Sequence, residues 1–206
     1  MDPKLRRLVA ALDHADHAEI VRALQQIGDL GKDAVAALPR LLDLFFYPDD
    51  YVRLETIHAI VRVDRERGTM FISYLCEELT SGSLVHRSLA AEILGEMGSE
   101  ARVAVPLLKL GTSDDCAAVA CSASGALGKV TGDFSEAGVV IGKLLNHPDW
   151  TLRMSGIELL TQLGPIVPNA IDMVGKAIED RNENVRRAGI AIFMAELIAD
   201  LDGSPS

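Results

Sequence analysis

The apolar residues of this chain recur with helical spacing, and the whole pattern repeats every 33 or 34 residues. Position zero of each repeat is occupied in turn by Ile20, Arg53, Arg87, Ala120, Arg153 and Arg186. Four, seven and ten residues later, almost every repeat carries an apolar side chain. At about 100° per residue these positions lie within one stripe of a helix, and they lack the alternation typical of a strand. The pattern therefore predicts one amphipathic helix in each repeat.

A second helical segment is predicted before each of these helices, so that every repeat is a helix, a turn and a helix. Glycines at 31, 98, 132 and 164 follow the stripe and are typical of helix C-terminal caps. A fixed period of this length predicts stacked units that bury their apolar faces against one another. The predicted first helices span roughly 3–12, 34–46, 69–80, 100–111, 134–146 and 165–179.

The repeat motif D-x-x-[VL]-R, followed by an apolar run and L-G-x-[LM]-G, resembles the short bacterial HEAT repeats. Its clearest copies are PDDYVRLETIHAIV, LVHRSLAAEILGEMG and DRNENVRRAGIAIF. Pro39 and Pro106 lie where that family often has a proline in its first helix. The ankyrin and tetratricopeptide signatures, which share this period, are absent.

The resemblance implies an all-α, right-handed α-solenoid of about six HEAT-like helix pairs in a single domain, residues 1–201. Residues 202–206 are expected to form a flexible tail. The expected repeats are roughly 1–32, 33–68, 69–98, 99–132, 133–164 and 165–201.

The arginines at position zero lie inside the apolar stripe, where a cation needs a partner because desolvating it alone is costly. The residue four positions earlier is usually one that caps helix N-termini. Where it is aspartate, we expect it also to receive the guanidinium. This assigns the arginines a structural role. Because Ile20 and Ala120 interrupt the series, we expect the array to be softest near the fourth repeat.

The chain's charge argues against nucleic acid as a partner. Its 206 residues include 30 Asp and Glu against 20 Lys and Arg, a net charge of −10. Nucleic-acid binding depends on clustered cations, and here none stand out. Three cysteines without a CxxC motif favour a reducing compartment. With no signal peptide and no long apolar segment in the sequence, we expect a cytoplasmic protein that does not enter membranes.

No motif in the sequence predicts catalysis, a metal or a cofactor. The DHADH run contains His14 and His17 beside two aspartates, but it is better explained as a turn with a helix cap. Cys121 has no histidine near it in sequence and lies among small residues, which favours a packing role over a nucleophilic one. We therefore expect a protein that is not an enzyme.

The candidate site is the face of the second helices opposite the apolar stripe, at positions +1, +2, +5 and +9. In a HEAT-like solenoid this face is concave. Leu54, Leu89 and Met154 are expected to be its apolar spots, and the small residues of the fourth repeat are expected to open its floor. The candidate binding residues are Leu54, His58, Arg62, Ser88, Leu89, Glu92, Glu96, Cys121, Gly125, Lys129, Met154, Glu158 and Arg187.

A second candidate surface is the aromatic run around the second turn, Phe45, Phe46, Tyr47 and Tyr51. These side chains either seal the loop end of the core or form an exposed interface cluster. Trp150, in the equivalent turn of the fifth repeat, presents the same two alternatives.

The favoured function is a non-catalytic scaffold or adaptor that binds a protein segment on the concave face. Two alternatives stay open. One is a bilin lyase-like or chaperone-type subunit that handles a tetrapyrrole protein, which the HEAT resemblance also allows. The other is a fragment or engineered solenoid without a natural ligand. Glu19 and Glu196 replace apolar residues in the end repeats, which predicts water-facing caps and a monomer.

Overall fold

A computed structural model describes residues 2–14 and 16–201, excluding the side chains of residue 196 and residues 198–201. The helices follow one another as pairs, and within these ranges there is no β-strand. The expected flexible tail, 202–206, lies outside the described residues. In chain order the helices are α1 (Pro3–Ala11), α2 (His17–Asp29), α3 (Leu38–Leu44), α4 (Asp50–Val63), α5 (Arg65–Gly68), α6 (Ile72–Ser81), α7 (Leu84–Met97), α8 (Val105–Gly111), α9 (Ala117–Thr131), α10 (Ser135–Leu145), α11 (Trp150–Leu163), α12 (Ala170–Ile178) and α13 (Glu183–Leu201).

The described part of the chain is thus an all-α solenoid of six helix pairs, as the sequence predicts. The second helices of the pairs are α2, α4, α7, α9, α11 and α13. Successive second helices pack side by side, most extensively α2 on α4 and α7 on α9. Four of the first helices are preceded by 3₁₀ turns, at Gly31–Ala37, Thr69–Phe71, Gly98–Ala104 and Gly164–Ile166.

Two prolines mark the change from 3₁₀ to α geometry. Pro39 and Pro106 lie in the first turn of α3 and α8, where the backbone N–H that proline lacks would have no partner within the α-helix. The first helices of the second and fourth pairs are therefore continuous segments, with a tight start and an α-helical end.

The second helices begin at the residues that the repeat pattern indicates. Asp49 Oδ1, for example, accepts a hydrogen bond of 3.0 Å from the Val52 amide. The exception is Cys116, whose side chain makes no capping bond; its own amide donates instead to Asp114 Oδ1 at 2.8 Å. The residues that do cap through a side chain are Asp16, Asp49, Ser83, Asp149 and Asn182.

The four glycines that follow the stripe have positive φ. Gly31, Gly98, Gly132 and Gly164 have φ values of 54°, 63°, 81° and 65°. A side chain in this region of backbone space is strained, so glycine is the residue that turns the chain out of the second helix at the lowest cost. The prediction of C-terminal caps is confirmed.

The arginine partner differs from the expected one. Arg153 forms a bidentate pair with Asp180, with nitrogen–oxygen distances of 2.7 and 2.9 Å, and Arg87 pairs with Asp114 in the same way at 3.0 Å. Each aspartate belongs to the next repeat and lies two residues before its cap position. The prediction that the capping aspartate receives the guanidinium is wrong, because the cap is occupied by helix amides and the preceding turn brings the other carboxylate closer.

Each pairing arginine also ties down its own turn. Arg153 Nη1 donates to the carbonyls of His147 and Pro148, both at 2.9 Å, and Arg87 Nη1 donates to Gly82 at 3.2 Å. These carbonyls belong to the turn between the two helices of a pair, where intrahelical partners are lacking. One guanidinium therefore joins a turn, a second helix and the following repeat.

Arg53 lacks an aspartate in the following repeat. It pairs with Asp50, donates to the Tyr47 carbonyl at 2.9 Å, and lies over the Tyr74 ring. At position zero of the fourth repeat, the arginine is replaced by Ala120. Bidentate arginine–aspartate pairs join the third repeat to the fourth and the fifth to the sixth, but not the fourth to the fifth.

The hydrophobic core divides within α9. One cluster of buried residues extends from Leu5 to Val130, and a second contains Ala120 and continues to Val185. Helix α9 approaches α7 closely, since a Cβ atom at Gly95 would lie 2.8 Å from Ala126 Cα. The small residues of α9 thus serve close packing on one side, while its contact with α11 is sparse.

At the C-terminal end, the apolar stripe of α13 is partly exposed to solvent. Position +4 is buried in the first five repeats, but Ile190 is 46% exposed, and Phe193 at position +7 is 49% exposed. Met194 and Leu197 extend the same apolar stripe. The side chain of Glu196, on which the expectation of a water-facing C-terminal cap rested, lies outside the described residues. The stripe is exposed because no following repeat covers it in the described chain.

The Arg153–Asp180 pair should stabilise the fold in a pH-dependent way. The hydrogen bonds from Arg153 lower the pKa of Asp180 below its ordinary value of 3.8. A depressed carboxyl pKa contributes stability above the unfolded pKa, and this is lost as pH falls through the folded pKa. We expect Asp180→Asn to lower the melting temperature by several degrees at pH 7, with the deficit shrinking below about pH 4, as circular dichroism would record.

Asp13→Asn is the matched control. Asp13 pairs with Arg40 at 2.6 Å, but its side chain is 70% exposed, and surface pairs contribute little, about 0–1 kcal/mol. Equal destabilisation by the two substitutions, or a deficit for Asp180→Asn that persists unchanged at pH 3, would contradict the assignment.

The absence of an arginine at Ala120 and the divided core predict that the fold opens most easily around α9 and α11. We expect amides of α9 and α11 to exchange with solvent faster than those of α4 and α7 in native-state hydrogen exchange. The double variant Ala120→Arg/His147→Asp places an arginine and an aspartate at the spacing of Arg87 and Asp114, and should slow exchange in α9 and α11. Protection of α9 and α11 equal to that of α4 in the unaltered protein would refute this.

Candidate binding groove

Two cavities lie along the side formed by the second helices. The larger one, about 630 Å³, is lined by α2, α4 and α7 and by the start of α9. The smaller one, about 230 Å³, is lined by α7, α9 and α11. Ser88, Glu92 and Ala118 line both cavities, so the two form one groove. The two cavities together are called the groove.

Most of the candidate residues do line the groove. The larger cavity contains His58, Arg62, Ser88, Leu89 and Glu92. The smaller cavity contains Cys121, Gly125, Lys129 and Glu158 together with Ser88 and Glu92. Glu96 lies beside the groove, on a broader depression that it shares with Arg62 and Lys129. The helical spacing of positions +5 and +9 is therefore sufficient to identify this face.

Three candidates are placed differently. Leu54 is fully buried in the core at 0% exposure, so it offers no surface to a partner. Met154 is half-buried against the second core cluster, and Arg187 is exposed and pairs with Glu183 at 2.6 Å; neither lines the two cavities. These three residues share position +1 with Ser88 and Cys121, which do line the cavities. Position +1 lies at the edge of the buried stripe, where small rotations of each helix decide whether a side chain turns inward.

Besides Leu89, the apolar surface of the larger cavity comes from residues that the repeat pattern did not single out. Leu84 and Val85, in the first turn of α7, are 54% and 59% exposed. Val85, Tyr51 and Ala118 all occupy position −2, one helical turn before position +2 and on the same face. Extending the +2, +5 and +9 series backwards by one turn would have found them.

A hydrogen-bonded carboxylate lies in the larger cavity. Glu55 is only 4% exposed, and its Oε1 accepts hydrogen bonds from Tyr51 Oη at 2.8 Å and from Gln25 Nε2 at 3.2 Å. Burial, together with the bond to Glu55 and the negative charges of Glu55 and Glu92, raises the pKa of Tyr51 to about 12. Tyr51 is therefore a neutral donor across the physiological range.

His58 connects the larger cavity to Glu96. Its Nε2 lies 3.1 Å from Glu96 Oε2, although not in line for a good hydrogen bond, and its Nδ1 lies 3.9 Å from Glu55 Oε2. Burial pushes the pKa of Glu96 upward, but His58 and the charges of Arg62 and Lys129 outweigh it and hold the pKa below its ordinary value. Glu96 is thus a carboxylate with nearby cations.

The smaller cavity has a largely polar lining. Ser88 and Ser122 share a hydrogen bond of 2.8 Å, and Ser122 donates to Glu92 Oε1 at 2.9 Å. The small residues of the fourth repeat, which are expected to open the floor of the groove, do line this cavity, but it is the smaller of the two. The same residues let the helices approach closely, and the larger opening lies one repeat earlier.

Cys121 and the DHADH run contain the side chain types that could act as a nucleophile or bind a metal. Burial, followed by the charge of Glu158, raises the pKa of the Cys121 thiol to about 11, so it is a poor nucleophile near neutral pH. In the DHADH run, His14 Nδ1 accepts from the Asp16 amide at 3.1 Å, as His147 does from Asp149 at 3.0 Å. No group of three or more metal-ligating side chains occurs in the described ranges.

The aromatic run divides between the two alternatives. Phe45 packs on Phe71 and Tyr74, with ring centroids 4.7 and 5.6 Å apart, and so seals the core. Tyr47 is half-buried against His17. Phe46 is 83% exposed, and Trp150 is 41% exposed in its own turn. One residue of the run therefore faces solvent, while the others are structural or line the groove.

Comparisons with known proteins show similarity to several helical structures. No protein-family model and no curated protein matches this sequence. Among solved structures, an engineered protein is 17% identical over 92% of this chain and 94% of its own, with a TM-score of 0.49. A designed armadillo repeat protein is 16% identical over 93% and 99%, with a TM-score of 0.46.

The complex of CpcE and CpcF of phycocyanin lyase from Nostoc sp. PCC7120 is similar to the same degree. A chain of that complex is 15% identical over 95% of this chain and 95% of its own length, with a TM-score of 0.46. Separately, none of the helices in the described part of this chain is both long and apolar enough to cross a membrane.

Proposed function

We propose that this protein is a non-catalytic scaffold or adaptor that binds a segment of another protein in the groove. The observation that carries the proposal is the larger cavity, in which exposed Leu84 and Val85 lie beside hydrogen-bonded polar groups. A few oriented polar groups within an apolar lining are typical of binding sites.

Rigidity supports this proposal. The groove is built from helices with capped ends, and its residues lie at intervals set by the repeat. Binding on a preformed surface avoids the cost of ordering it, which would otherwise reduce affinity. The raised pKa of Cys121 and the structural bonds of His14 and His147 are consistent with a protein that is not an enzyme.

Substitution of Leu84 and Val85, the exposed apolar residues that we call the rim of the groove, tests this function. We expect Leu84→Asp/Val85→Asp to abolish recovery of partners in affinity purification from the native cell, read by mass spectrometry. Both residues are exposed and lie in the first turn of α7, where added carboxylates suit the helix dipole, so the fold should persist.

Val103→Asp/Leu110→Asp provides the control. Both residues are 72% exposed and lie on the first-helix side of the fourth pair, away from the groove. This variant should keep every partner. If the rim variant retains the same partners as the unaltered protein, or if both variants lose them equally, the groove is not the binding surface.

The tetrapyrrole alternative has less support from the groove. Tyr51 is the one aromatic side chain among the residues that line the two cavities, and a flat conjugated ligand favours stacking surfaces. The protein-segment proposal is therefore preferred.

A monomer is part of the proposal. The described apolar stripe on α13 comprises four side chains, each less than half exposed, which is smaller than the roughly 800 Å² per partner that stable interfaces bury. We expect light scattering to give a mass near 22.1 kDa. A dimer that Phe193→Glu converts to a monomer would contradict this expectation and identify α13 as the interface.

A further inference from the structure

The buried carboxylate in the larger cavity has no full cationic partner. Glu55 Oε1 is satisfied by two neutral donors, Tyr51 and Gln25. His58 Nδ1 lies 3.9 Å from Oε2, beyond hydrogen-bond distance, and no lysine or arginine of the described chain pairs with Glu55. A carboxylate this deeply buried is costly unless a positive charge approaches it.

Two other acids with low exposure do have such partners, whereas Glu78 has His86 beside it, 3.2 Å from its Oε2. Asp114 and Asp180 are held by bidentate arginines. Arg62, the cation that shares the cavity with Glu55, pairs with Asp29 at 2.9 Å instead. The open oxygen of Glu55 therefore differs from the arrangement at Asp114 and Asp180.

The charge of the larger cavity also favours a cationic ligand. Its lining contains three carboxylates, Asp29, Glu55 and Glu92, against the single guanidinium of Arg62. Glu92 is partly exposed and is bonded in the described residues by a neutral hydroxyl, that of Ser122. Two carboxylates without a cation thus face one opening.

The rim suits a long basic side chain. Lysine and arginine lay their alkyl stems along apolar surface while the charged head reaches a polar site. Leu84, Val85 and Leu89 provide that surface, and Tyr51 adds an aromatic ring beside the carboxylate, a favourable neighbour for a cation.

We propose that the larger cavity binds a lysine or arginine side chain of the partner segment, with its charged head at Glu55 and Glu92 and its stem on Leu84 and Val85. An apolar residue next to the basic one in the segment would cover the rest of the rim. This inference rests on the proposed function, because it names the chemistry of the segment that the groove takes.

The test uses a phage-displayed library of random peptides, selected on the full chain. We expect the selected peptides to share a basic residue flanked by apolar ones. In a synthetic copy of a selected peptide, replacing lysine with norleucine or arginine with citrulline removes the charge and keeps the length. The dissociation constant should rise about tenfold or more, by calorimetry.

On the protein side, Glu55→Gln keeps the shape and the bond from Tyr51, and should weaken the same peptide by a similar factor. Glu92→Gln, at an exposed position where folding is not at risk, should weaken it as well. Glu158→Gln makes the same change of charge in the smaller cavity, and should leave affinity within twofold. Circular dichroism would check that each variant remains helical.

The outcomes separate the two proposals. Peptides whose binding is lost in Leu84→Asp/Val85→Asp, but which carry no basic residue and bind Glu55→Gln and Glu92→Gln normally, would overturn the cation site and leave groove binding intact. Equal weakening by all three glutamine variants would reduce the effect to general charge and also overturn the site. If no selected peptide depends on Leu84 and Val85, both proposals fail.

Discussion

No helix pair of this protein can bury its apolar stripe alone, and the rest of the structure follows from that constraint. In the first five repeats the stripe is covered on one side by the helix of its own pair and on the other by the next pair, so Leu24, Ile57 and Ile157 are almost fully buried. The same stripe is exposed on α13, which has no following pair in the described chain. Stability is therefore shared between neighbours rather than held within a unit.

Stacking also sets where polar groups can be used. Helix ends within a stack leave amides and carbonyls that need partners. The aspartates at the caps take the amides, and arginines such as Arg153 take the carbonyls of the turn and the carboxylate of the next repeat. These charged groups are thus bonded within the fold. Two of the carboxylates in the groove, Glu55 and Glu92, are instead bonded by neutral donors, and the proposed basic side chain of a partner would complement their charge.

The fourth repeat shows the two effects of small side chains. Glycine and alanine let α7 and α9 approach each other closely, as at Gly95 and Ala126. They also provide few atoms to reach α11, and the missing arginine at Ala120 removes the polar link there. The core accordingly divides at α9, and the cavity beside it is the smaller of the two.

The period, the helix pairs, the cap positions and the positive-φ glycines could be predicted from the sequence, because these depend on local backbone chemistry and on spacing along one helix. The sequence also identified positions +5 and +9 of the groove, including His58 and Glu92. Tertiary structure decided the rest. Leu54 turns into the core and Leu84 and Val85 turn out to the rim because the rotation of each helix is set by its neighbours. Which aspartate meets each arginine, and which carboxylate is left without a cation, depends on distances between repeats that spacing along the chain does not contain.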